Sequence, residues 1–182
     1  MDRANQIAPR VTPFISKDDE VLDIGCGTGS VAKFVKKEKS PKLTLVDVQY
    51  NPMCYQFPVI IYDGSNLPFE DNQFSASLLL AVLHHAKNPM KVLDEAIRVS
   101  SDRIIVMEDV FTDILGRTIT FIGDCVLNWE IHSPFNNKTT DHWLKIFEKK
   151  RLKLLHLEEF KLRVVGFPFK LAIFVLEKKK KR

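Results

Sequence analysis

Apolar residues in this chain follow two spacings, and the two alternate. Short apolar-rich blocks occur at Glu20 to Ile24, Lys42 to Val48, Pro58 to Tyr62, Phe74 to Leu83 and Arg103 to Glu108. Blocks of this length predict buried strands. Between them, apolar residues recur every three or four positions. Arg3 to Val11 predicts a short helix ending before Pro13. Thr28 to Lys37 predicts a helix with Val31, Phe34 and Val35 on one face, and Pro89 to Val99 a helix with proline in its first turn. Asn51-Pro52 marks a turn. Alternation of this kind predicts a parallel sheet covered by helices. Beyond Asp109, the chain to about Lys150 reads as mostly helical, broken at Pro134 and Asn136-Asn137. It is expected to be an insert or cap at about 110–150 within a single domain, 1–182. Lys153 to Lys161 and Phe169 to Glu177 flank Gly166 and Pro168 as the arms of a hairpin. The expected fold class is α/β, a doubly wound and mostly parallel seven-stranded sheet with a C-terminal antiparallel hairpin.

The chemistry concentrates where the first strand ends. Val21-Leu22-Asp23-Ile24 runs into Gly25-Cys26-Gly27-Thr28-Gly29. Three glycines two apart suit a tight strand-to-helix turn in which backbone approaches a ligand, with free N–H groups at the helix start. The spacing is neither the Gly-x-Gly-x-x-Gly of a dinucleotide site nor a phosphate loop. An acid at Asp23 suits a cofactor carrying amine and hydroxyl donors better than a pyrophosphate. In an open α/β sheet, ligands sit beyond the carboxyl ends of the strands. Strand two ends in Asp47-Val48, and an acid 18 residues past Gly29 can accept from both ribose hydroxyls. Strand three ends in Asp63-Gly64-Ser65, where a carboxylate can accept from an adenine amine. Leu80 and Ala81, late in the fourth strand block, complete the candidate cofactor set.

These residues carry a resemblance. The Val21–Gly29 stretch looks like motif I of the class I S-adenosylmethionine-dependent methyltransferases, and Tyr62 to Phe74 is similar to the Gly-Asp-Ala-x-x-Leu-Pro-Phe segment common in that class. His84-His85, Asn88-Pro89 and Leu93-x-Glu95-x-x-Arg98-Val99 resemble the methyltransferase-11-type family that includes the quinone C-methyltransferases. The matched blocks run from about Val11 to Asp109. The resemblance implies a Rossmann-like methyltransferase fold with S-adenosyl-L-methionine as cofactor. The chain departs from the family at three places. Ser100-Ser101-Asp102 replaces Lys-Pro-Gly-Gly, the segment from Asp47 to Val59 is too short for a full helix, and the N-terminal covering helices are nearly absent.

Methyl transfer from a sulfonium needs donor and acceptor held in line and water kept out, with a base where the acceptor carries a proton. The candidate bases are His84 and His85, since imidazole titrates near neutrality, and Asp109, which with Glu108 ends strand five beside the expected acceptor site. An aromatic-rich segment, Phe111 to Phe135, motivates a lipophilic small-molecule acceptor. The alternatives are RNA or protein as acceptor and a non-catalytic relative that keeps the cofactor site.

Composition narrows the class further. The 182 residues are 45% hydrophobic and 27% charged, as in an ordinary globular domain. No apolar run reaches the roughly 18 residues of a membrane helix. Cys26, Cys54 and Cys125 show no disulfide or zinc spacing and no metal site is expected, so a cytoplasmic setting is. The net charge of +4 gathers at Lys36–Lys39, Lys149–Arg151 and the tail Lys178–Arg182, the candidate surface for an RNA or protein partner.

Overall fold

The structure, a computed structural model, describes residues 3–39, 41–111, 136–164 and 167–179. Its strands are β1 (Glu20–Ile24), β2 (Lys42–Asp47), β3 (Val59–Ile61), β4 (Phe74–Leu80), β5 (Ser100–Asp109), β6 (Leu152–Val164) and β7 (Phe167–Lys178). The helices are α1 (Arg3–Val11), α2 (Ser30–Lys39), α3 (Pro89–Val99) and α4 (Thr140–Lys149). The strands form one seven-stranded sheet in the order β3-β2-β1-β4-β5-β7-β6. β1 to β5 pair in parallel, and β7 runs antiparallel to both of its neighbours. The chain winds outward from β1 to β3, then returns to β4 on the other side of β1. That reversal opens a crevice at the carboxyl ends of β1 and β4.

Helices cover both faces, as the unbroken burial of Val21 to Ile24 requires. Leu22 and Ile24 face a core built with Val92, Leu93 and Ala96 of α3 and Trp143 and Phe147 of α4. Val21 faces the opposite core, with Ile7 and Val11 of α1 and Val35 of α2. Asp23, two residues on, lies on Val21's side.

Several element ends differ from the sequence expectation. α2 begins at Ser30 rather than Thr28, because Gly29 sits at φ +69° and its N–H donates to Cys26 O at 2.9 Å, closing the loop one turn later. β4 stops at Leu80 rather than Leu83. Ala81 adopts φ +61° and donates to Met107 O at 2.7 Å, and the chain then turns out of the sheet. β5 starts at Ser100, directly after α3. Of the expected helical insert, residues 112–135 lie outside the described residues; Thr140–Lys149 is helical.

No helix follows β2. Pro52–Cys54 forms a single 3-10 turn, with Asn51 Oδ1 accepting from Met53 N. The β3 edge is left thinly covered, and Val48, Tyr50, Met53, Tyr55, Ile60 and Ile61 are exposed. Among the described residues, no helix is long and apolar enough to cross a membrane.

The Leu93-x-Glu95-x-x-Arg98 pattern has a structural reason. Glu95 Oε2 accepts from Leu67 N at 2.8 Å, and Arg98 donates to Leu67 O, Phe69 O and Asp71 Oδ1 at 2.8 to 3.0 Å. The two residues also pair with each other. The Arg98 guanidinium holds the Glu95 carboxyl below its usual range. One turn of α3 thus clamps the loop that leads from β3 to β4.

Candidate active site

A cavity of about 450 Å³ opens at the crevice. Its walls include Gly25, Asp47, Val48, Asp63, Gly64, Ser65 and Ala81 from the sequence-expected cofactor set, and His85 from the candidate bases. Gln49, Tyr62, Val82, Ala86, Lys87 and Val92 also line it. The sequence reading did not single these out. Most are immediate neighbours of expected residues, so the strand-end argument could have reached them.

β1 delivers the glycine loop to this cavity. Gly25, Gly27 and Gly29 all have positive φ. Two of the three also lack room: a Cβ on Gly25 would lie 2.7 Å from Val82 Cγ2, and one on Gly29 would lie 2.6 Å from Cys54 Sγ. At Gly27 nothing stands within 4 Å. β2 brings Asp47, whose carboxylate accepts from Gly27 N at 2.8 Å and from Val48 N at 2.7 Å. The acid thereby fixes the loop while lining the cavity. A carboxylate offers about four lone-pair sites, so acceptor capacity remains for a ligand's hydroxyls. Val48 is half-exposed beside it, with its Cγ1 against Gly64.

Asp63 serves its own turn as well as the cavity. Its carboxylate accepts from Ser65 N, Asn66 N and Asn66 Nδ2 at 2.7 to 2.9 Å, and the Asn66 bonds hold its pKa below the usual range. Tyr62 lies between the two acids. Burial, aided by the charges of Asp47 and Asp63, pushes its phenol up to about 12.

Other expected cofactor residues lie off the cavity. Asp23 is buried beneath the loop, and burial, then the charge of Asp47, push its carboxyl up to about 7. Cys26, Gly27 and Leu80 do not line the cavity, and Thr28 and Gly29 line a smaller one of about 190 Å³ with Cys54 and Phe57. Sequence spacing leaves Cys54 without a partner, but the fold packs it against Cys26. The 3-10 turn after β2 folds back onto the glycine loop and creates that contact. Burial pushes both thiols up, away from thiolate chemistry.

The candidate bases separate. His85 lines the cavity. His84 is buried, with its Nδ1 2.6 Å from Glu108 Oε2 and its Nε2 3.8 Å from Asp109 Oδ2. The two imidazoles lie ring against ring, centroids 4.0 Å apart. Asp109 is buried and does not line the cavity.

Residues 22–103 match the family profile described as a methyltransferase domain. Over that stretch the chain is similar to methyltransferases, and its fold is one they share. The probable tRNA methyltransferase 9B of Mus musculus is 33% identical to this chain over 91 residues, 46% of this chain and 20% of that protein. The chain therefore spans about a fifth of that curated relative's length. The Burkholderia thailandensis 1,6-didemethyltoxoflavin-N1-methyltransferase, solved with 1,6-didemethyltoxoflavin and S-adenosylhomocysteine, shares the fold at TM-score 0.75. It covers 97% of this chain and 78% of its own at 12% identity. A putative methyltransferase of Haloferax volcanii, solved in complex with the Trm112 methyltransferase activator, shares it at TM-score 0.71. That match covers 96% of this chain and 88% of the other at 12% identity.

Proposed function

We propose that this protein is a methyltransferase that transfers a methyl group from S-adenosylmethionine to a small-molecule acceptor. The observation that carries the reading is the cavity itself. Asp47 and Asp63, from the β2–β3 side of β1, line it together with Ala81, Val82 and His85, from the β4 side. Its volume of about 450 Å³ falls in the range of sites that enclose a small ligand. The donor set also fits the cofactor: an acid at Asp47 for ribose hydroxyls, an acid and the Gly64 backbone for adenine, and Val48 as the apolar surface beside them.

The bound donor supplies an electrophilic methyl group on a sulfonium. The protein's part is to orient and enclose. Asp47 holds the glycine loop through Gly27 N, and the same carboxylate would hold the ribose hydroxyls of the donor. Val82 packs on Gly25, which sets the distance between the donor loop and the β4 turn. His85, the imidazole on the cavity wall, takes a proton from an acceptor hydroxyl, amine or acidic carbon.

One placement favours a small acceptor over RNA. The basic run begins at the end of β7 with Lys178, which donates to Ser100 O and Asn72 Oδ1. That is the amino-terminal end of the parallel strands. The seven residues of β4 separate it from the cavity, roughly 20 Å at 3.3 Å per residue. Phosphate contacts made by Lys178 would lie at the opposite end of the strands from the site. The likeness to a probable tRNA methyltransferase keeps RNA as the alternative acceptor.

Titration of S-adenosylhomocysteine by calorimetry, with the wild type and Asp47→Ala, tests the reading. Micromolar binding by the wild type and a loss of about 100-fold or more in the variant would support it, since one carboxylate carries two charge-assisted hydroxyl bonds. A wild type that fails to bind would show either a non-catalytic relative or a site closed only by a partner.

A further inference from the structure

We propose that Glu108 is a positioning residue of this site: its buried carboxylate builds the turn that walls the acceptor side of the cavity and seats His84 behind His85. The proposal rests on the reading of the cavity as a methyl-donor site.

The backbone after β4 poses a problem that Glu108 solves. The parallel ladder ends at Leu80, and Ala81 spends its N–H on Met107 O. The next three N–H groups belong to a turn pressed against buried side chains, where an unpaired donor is costly. All three converge on one carboxylate. Val82 N and Leu83 N donate to Glu108 Oε1 at 3.1 and 2.8 Å, and His84 N donates to Oε2 at 3.3 Å. Glu108 is fully buried, so a carboxylate there needs such donors. Lys138 supplies a nearby cation: burial pulls its ammonium below the usual lysine range, and the charge of Glu108 opposes that shift.

The fourth bond ties the turn to the chemistry. Glu108 Oε2 lies 2.6 Å from His84 Nδ1. A carboxylate only accepts, so the proton sits on Nδ1 and the orientation of the His84 ring is set. The His85 ring then packs against it at 4.0 Å and reaches the cavity. At the other end of the turn, Asn136 Nδ2 donates to Ala86 O at 3.1 Å. The turn also touches the donor side, through Val82 against Gly25. One side chain thus governs both walls between which a methyl group would pass. An apolar residue of similar size would fill the volume and strand three N–H groups.

Glu108→Gln is the decisive variant. Its amide keeps the shape but replaces one acceptor oxygen with a donor, so it cannot serve both the three backbone groups and Nδ1–H. Two readouts are taken on the intact chain at fixed pH: the affinity for S-adenosylhomocysteine by calorimetry, and the side-chain ¹⁵N–¹H resonances of His84 and His85 without ligand. Positioning predicts about tenfold weaker binding, loss of the His84 Nδ1–H signature and displaced His85 resonances, with far-UV circular dichroism retained. A merely structural role would lower the melting temperature and leave affinity and His85 unchanged in the folded protein; that result overturns the proposal. If Glu108→Gln does not fold, Glu108→Asp takes its place. The shorter carboxylate reaches either the backbone groups or the ring but not both, so one readout must move, and neither moving is again refutation. A wild type that does not bind S-adenosylhomocysteine would remove the donor reading alone. The His85 resonances would then decide the positioning role by themselves, displaced in support and unmoved in refutation.

Discussion

Replacing Asp23 by asparagine should stabilise the protein, by an amount that grows with pH. Asp23 is 3% exposed on β1, under the glycine loop. Burial, with the charge of Asp47 as the lesser cause, raises its pKa from 3.8 to about 7. The folded protein therefore holds this proton more tightly than the unfolded chain does. Below pH 4 the residue is protonated in both states and costs nothing. Between pH 4 and 7 stability falls as pH rises, because only the folded state keeps the proton; above pH 7 the loss is complete. A difference of about 3 units at 1.36 kcal/mol each gives a cost of about 4 kcal/mol. Asparagine has the same shape and no charge, so subtracting the two proteins isolates this group. Urea unfolding of wild type and Asp23→Asn, followed by circular dichroism from pH 5 to 8, reads the difference. It should widen by about 2 kcal/mol between pH 5 and 7 and level off above. A difference that stays constant with pH, or narrows, would refute the claim that an ionisable acid is held in a dry site beneath the donor loop.

The other predictions concern the loop, the clamp and the base. Gly25→Ala and Gly29→Ala should each cost more stability than Gly27→Ala in thermal melts: all three pay about 1–2 kcal/mol for positive φ, but only the first two meet a neighbour under 3 Å. Equal losses at the three positions would show that the neighbours give way. Arg98→Ala should cost about 2 kcal/mol in urea unfolding, since it leaves the buried Glu95 without its partner and frees the 67–71 loop; a loss below 0.5 kcal/mol, roughly that of a solvent-exposed pair, would reduce the clamp to a surface contact. His85→Gln should lower kcat by about 100-fold with KM little changed once an acceptor is found, and an unchanged kcat would remove His85 as base. Deleting residues 178–182 should leave S-adenosylhomocysteine affinity unaltered in calorimetry, and a weakened site would show that the tail reaches across the sheet.

Much of the fold was legible in the chain. The alternation of apolar blocks with three-four spacing set the order of the elements, because strand and helix periods impose those patterns on any half-buried segment. The glycine spacing located the tight loop after β1, since positive φ at three nearby positions leaves few residues that fit. Strand ends then located Asp47 and Asp63, because a parallel sheet collects its ligands at one edge. Which neighbour faces which way was decided only by tertiary structure. Glu108 and Asp109 are adjacent acids, yet Glu108 builds the β4 turn and Asp109 stands 3.8 Å off the His84 ring. His84 and His85 are likewise adjacent, and one is buried while the other lines the cavity. Successive side chains leave opposite sides of the β5 strand, and those of the turn after β4 leave it in directions set by the fold, so sequence narrows such pairs without separating them. The Cys26–Cys54 contact and the grip of Glu95 and Arg98 on the 67–71 loop join residues 27 to 31 positions apart. No local pattern encodes them; they exist because the sheet brings those segments to one place.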